Sequence, residues 1–130
     1  MAGRGMSGNR VGEPVATQIT AWFETGNAET MERILRSWLP VEGELSIRLG
    51  RELEMYFDAC GVEFWAHRED AGTEFLANGH VDGPPEFGIG RVMELAEQCR
   101  RASVAYSIDY EEIDAEGELV SDDPPVTIVG

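Results

Sequence analysis

Two histidines, His67 and His80, are the only imidazoles in the chain, and imidazole is the commonest side chain for proton transfer and metal ligation near neutral pH. Glu63, Glu69, Asp70 and Asp82 lie close to them in sequence, so a hairpin can gather two imidazoles and a carboxylate around a metal. No H-E-x-x-H or comparable spacing is present, however, and histidines on a solvated hairpin are the better reading of the pattern. No metal site is expected. Nucleophilic catalysis is equally unsupported, because no serine sits in a G-x-S-x-G setting. Gly88-Ile89-Gly90 lacks a third glycine, follows Pro84 and Pro85, and has Glu86 beside it to repel a phosphate. Paired carboxylates are uninformative here: with 25 acids in 130 residues, close pairs arise by chance. The reading is a protein that is not an enzyme and needs no cofactor.

The charge is what departs from ordinary composition. The 25 acids stand against 10 basic residues, all arginine, for a formal net charge of -15. Such a field repels nucleic acid and anionic membranes, so neither is expected as a direct partner. The densest feature runs from Ala102 to Gly130, where Asp109, Glu111, Glu112, Asp114, Glu116, Glu118, Asp122 and Asp123 occur with no basic residue among them. One reading is a well-solvated hairpin; the other is a face that binds a basic protein. Tyr106 and Tyr110 would add aromatic contact to such a face, and the acids would steer association. A halophilic cytoplasm also favours acidic, lysine-poor chains.

Positioning these residues requires a scaffold, and periodicity supplies its outline. Residues 1 to 14 hold Gly3, Gly5, Gly8 and Gly12 and few apolar side chains, which predicts a flexible tail ahead of one domain over residues 15 to 130. Val15, Thr17, Ile19, Ala21 and Phe23 alternate as a half-buried strand requires. Ala28, Met31, Ile34, Leu35, Trp38 and Leu39 recur at helical spacing, with Thr25 or Asn27 as cap and Pro40 as the stop. Leu45, Ile47 and Leu49 alternate, and a meander follows over 53–58, 62–68 and 73–80, with Gly61 and Gly72 at the joints. In its middle strand Val62, Phe64 and Ala66 share one face, and Glu63, Trp65 and His67 the other.

After the break at Asp82-Gly83-Pro84-Pro85, a second helical stripe reads Ile89, Val92, Met93, Ala96 and Cys99. Val104, Tyr106, Ile108 and Tyr110 then alternate, a turn at 114–117 leads to a strand at 118–120, and the apolar end 126–129 belongs at a sheet edge behind Pro124 and Pro125. Cys60 and Cys99 are too few and too far apart for a disulfide framework or zinc site and read as buried free thiols. The predicted class is α+β: a mostly antiparallel sheet with two amphipathic helices on one face. The two β-α-β portions suggest a degenerate ferredoxin-like repeat.

Together these features point to an acidic, protein-binding inhibitor, a nucleic-acid mimic of the phage counter-defence type. It would occupy the basic groove of a DNA- or RNA-binding enzyme or complex. An immunity protein against a basic nuclease toxin needs the same complementarity. A structural or assembly subunit would use the C-terminal edge strand, and homo-oligomers remain open. With no apolar run after Arg4 and Arg10, a cytoplasmic location is expected.

Overall fold

Alternation of inward and outward residues over eight positions builds five of the strands. The computed structural model describes residues 12–69 and 72–130. Its elements are β1 (Ala16–Phe23), α1 (Ala28–Trp38), β2 (Ser46–Leu49), β3 (Glu52–Ala59), β4 (Val62–Glu69), β5 (Phe75–Asp82), α2 (Pro85–Arg101), β6 (Tyr106–Ile113) and β7 (Val126–Val129). All seven strands form one antiparallel sheet in the order β2-β3-β4-β5-β1-β6-β7. The α+β class with both helices against the sheet is therefore present. The strands β6-β1-β5-β4 interleave around β1, while β2, β3 and β7 enlarge the sheet well beyond a four-stranded repeat. Residues 1–11 of the predicted tail lie outside the described residues; just after the tail, Val15 donates its backbone N–H to Ile113 at 2.8 Å.

One face of the sheet is apolar. Ile19, Ala21 and Phe23 of β1, Met55 and Phe57 of β3, Phe64 and Ala66 of β4, Phe75, Ala77 and Val81 of β5, and Ile108 of β6 are all buried there. At roughly 1.5–3 kcal/mol for each large side chain removed from water, this layer is the main source of stability. Helix α1 contributes Met31, Ile34, Leu35 and Trp38, with the Trp38 indole edge-on to Phe64 at 5.1 Å between centroids. Asn27 caps its start by accepting from the Thr30 N–H at 2.8 Å. The helices are tied together at Trp38: its Nε1 donates to the Arg91 carbonyl at 2.8 Å, and the Arg91 guanidinium bonds the Trp38 carbonyl and lies over the indole.

Several expectations are corrected. The inward stripe of α2 is Gly88, Val92, Leu95, Ala96 and Cys99, whereas Ile89 and Met93 are exposed. The helix is rotated toward its glycine because Thr17 of β1 sits directly beneath Gly88 and leaves no room for a side chain there. Residues 118–120 do not form a strand; only Leu119 bridges to Ile113. Cys60 is exposed, because it occupies the β3–β4 turn with Gly61, both at positive φ (56° and 77°), and only Cys99 is buried. Val15 is 43% exposed and lies before the first strand rather than in its buried set. The joint between β4 and β5 includes residues 70 and 71, outside the described residues. No helix among the described residues is long and apolar enough to cross a membrane.

Candidate binding face of the sheet

Because both helices pack on one side, no element among the described residues covers the opposite side of the sheet, and pairing register assembles its side chains into rows. One row runs Ser46, Tyr56, Trp65, Asn78, Thr20, Asp109 and Thr127 across all seven strands. The next holds Arg48, Glu54, His67, Leu76 and Trp22, and a third holds Asp58, Glu63, His80, Gln18 and Glu111. Glu52 and Glu69 face each other at one end. Arg48 is the single arginine in these rows, so the carboxylates of β3, β4 and β6 are largely uncompensated by arginine.

The aromatic residues are fixed in place by these acids. Trp65 Nε1 donates to Glu54 Oε1 at 3.0 Å, and its indole stacks on His67 at 4.1 Å and 17°. The Tyr56 hydroxyl donates to Glu63 Oε2 at 2.7 Å. That bond, with burial and the Asp58 and Glu63 charges adding to it, pushes the phenol up to about 12. Trp22 Nε1 donates to Glu74 Oε1 at 2.7 Å. Between the β2–β3 edge and β5 lies an open trough of about 500 Å³ lined by Arg48, Glu54, Tyr56, Glu63, Trp65 and Asn78. The Trp65, Tyr56 and Trp22 polar tips are each held by a carboxylate, so the face presents anchored aromatic rings.

The C-terminal residues expected to form one face are dispersed by the pleat, which sends consecutive side chains to opposite sides. Asp109 and Glu111 join the open face. Tyr106 is 3% exposed and packed in the core, its hydroxyl bonded by Arg100 at 2.6 Å, so it is not a contact residue. Tyr110 and Glu112 point to the helix side; Tyr110 is packed against the core. Glu112 accepts the Thr17 hydroxyl at 3.1 Å, while burial, assisted by the Glu86 charge, raises its carboxyl above the usual range. Asp114 is nearly buried and holds the turn, accepting the Glu116 and Glu118 N–H groups at 2.9 and 3.0 Å. Glu116, Glu118, Asp122 and Asp123 are exposed between β6 and β7.

His67 and His80 share the open face but stand four register positions apart. His67 approaches Glu52 at 3.4 Å, and His80 lies 3.6 Å from both Glu63 and Asp82. The imidazoles are not brought to a common point, and the described residues hold no group of three or more potential metal ligands. Sequence reading missed Arg48, Glu54, Tyr56 and Trp65 as a site. The alternation Glu52, Glu54, Tyr56, Asp58 opposite buried Leu53, Met55 and Phe57 carried the signal.

Comparison with protein-family models, with curated proteins and with solved structures finds no significant match. The functional reading therefore rests on the chemistry of this surface.

Proposed function

We propose that the chain is an acidic protein-binding inhibitor whose helix-free sheet face enters the basic groove of a nucleic-acid-binding protein. The observation that carries this reading is the array of carboxylates on that face, with Tyr56 and Trp65 anchored among them by Glu63 and Glu54. Neighbouring strands lie ~4.8 Å apart and alternate residues ~6.7 Å apart along a strand, so the acids form a two-dimensional field. Duplex DNA, with one charge per ~1.7 Å of axis, is denser, but both present fixed anions to an arginine-lined groove. The acids speed encounter, and the two aromatic rings provide the desolvated contact that holds it. The same face would serve an immunity protein against a basic nuclease.

The test is affinity capture with the intact chain from nuclease-treated host lysate, comparing two multiple variants. Reversing Glu52, Glu54, Glu63, Asp109 and Glu111 to Lys is expected to abolish capture of a basic, nucleic-acid-binding protein. Reversing Glu29, Glu32, Glu94, Glu116 and Glu118 leaves most of it. The captured protein should be released by competing duplex DNA or RNA. Equal loss in both variants, or a partner indifferent to nucleic acid, would overturn the reading.

A further inference from the structure

On the helix side, a second cleft of about 280 Å³ opens between the start of α2, β6 and the segment leading into β7. Its walls are apolar: Pro85, Ile89, Leu119, Val120, Pro124 and Val126. Ile89, Leu119 and Val126 are 36%, 45% and 51% exposed, so the apolar surface reaches the mouth. Tyr110 completes the lining, and the acidic residues Glu112 and Asp123 border the same space, with Glu111 of the open face at its edge. Among the described residues, no basic side chain lines it.

The combination defines an occupant. Apolar walls favour removing hydrocarbon from water, whereas carboxylates beside them are costly unless a cation is supplied. An aromatic ring next to acids is the arrangement that receives ammonium or guanidinium groups. The volume falls just below the range of about 300–1,000 Å³ that houses drug-sized ligands, which limits the occupant to something near one large side chain. We propose that this cleft binds a small amphipathic organic cation, a primary ammonium on an apolar body. The ammonium pairs with Glu112, whose remaining bond to Thr17 holds it in place, and the body lies against Ile89, Leu119 and Val126. Glu111 lies at the edge of both surfaces, but the cleft's pairing through Glu112 stands whether or not the sheet face binds a protein.

Benzylamine is a suitable probe, titrated into the full chain at constant ionic strength and followed by methyl and amide NMR. Saturable shifts are expected at Ile89, Leu119, Val120 and Val126. Benzyl alcohol, of the same shape without the charge, should bind at least about tenfold more weakly. Glu112→Gln keeps an acceptor for Thr17 and should fold, yet lose at least about fivefold in affinity. Leu119→Lys, at an exposed position, should block the mouth with a tethered ammonium. Equal affinity for the alcohol and the amine would overturn the proposal by showing an apolar cleft alone. So would shifts spread over Glu54 and Glu63, which indicate diffuse ion pairing, or shifts that never saturate.

Discussion

Thr17 of β1 and Gly88 of α2 meet in direct contact, and a Cβ at position 88 would overlap the Thr17 hydroxyl and its own Cβ. The glycine costs the helix roughly 1 kcal/mol relative to alanine in propensity, but it lets α2 settle on the central strand. It also leaves the Thr17 hydroxyl oriented toward Glu112. Gly88→Ala is accordingly expected to destabilise the domain by about 1–3 kcal/mol net, since overpacking outweighs the gain in helix propensity. Gly90→Ala, with open space around the position, should instead stabilise it by up to about 1 kcal/mol. Denaturant midpoints of the two variants check this opposite pair of signs.

The Glu112 carboxyl titrates above its ordinary range because folding removes water from it. A folded-state value higher than the unfolded one means that the native state binds the proton more tightly. Stability is then largest below the unfolded value and falls as pH rises through the folded one. Glu112→Gln should raise the melting temperature at pH 7, with the advantage vanishing below about pH 4. Melting curves across that range provide the measurement, and an advantage that grows toward acid would contradict the assignment.

The two thiols should react very differently. Cys99 is fully buried on the sheet-facing side of α2 and burial pushes it up to about 12, whereas Cys60 stands in an exposed turn. At pH 8 a thiol reagent is expected to modify Cys60 rapidly and Cys99 only on unfolding. Prompt reaction of two equivalents in native buffer would show that the inner face of α2 is not packed against the sheet at Cys99.

Asp114 belongs to the acidic C-terminal run but acts as a turn residue. Its carboxylate serves two backbone N–H groups, so Asp114→Ala should cost about 1–3 kcal/mol. Substituting neighbouring Glu116 should change stability by less than about 0.5 kcal/mol. Urea titrations of both variants separate a structural acid from a merely solvated one.

Arg91 joins the helices through the Trp38 carbonyl and indole and also pairs with Glu94 at 2.6 Å. Loss of these contacts in Arg91→Ala is expected to cost about 1–3 kcal/mol, while Arg36→Ala, which breaks only an exposed pair with Glu32, should cost under about 0.5 kcal/mol. Thermal melts of both check the ranking.

How legible this molecule was in its sequence depended on whether a signal was local. The α1 limits followed from Asn27 and Pro40, and the two faces of β4 from alternation, because a sheet covered on one side imposes a period of two. The α2 stripe was misjudged because Gly88 counts as polarity-neutral in a hydrophobic pattern, yet it occupies the closest approach to the sheet. The acidic run misled for a related reason: Asp109 and Glu111 on one side, Tyr110 and Glu112 on the other, cannot form one patch in a pleated strand. The open face gathers Glu54, Trp65 and Asp109 from three strands. Only the pairing register, which composition does not encode, places them together.

The position of β1 has a kinetic consequence. Ile19 aligns with Gly79 on one side and Tyr110 on the other, so β1, the first of the described strands in chain order, gains its second neighbour only once β6 is in place. Both partners require large loops to be ordered first, which places folding in the slower class of non-local β topologies, roughly milliseconds to seconds. On the ribosome, the β2–β5 meander can zip up as it emerges, but β1 keeps a bare edge until Tyr106–Ile113 has left the exit tunnel. A nascent chain arrested before that point exposes the hydrogen-bonding groups of its central strand, and is the species most exposed to strand-mediated aggregation.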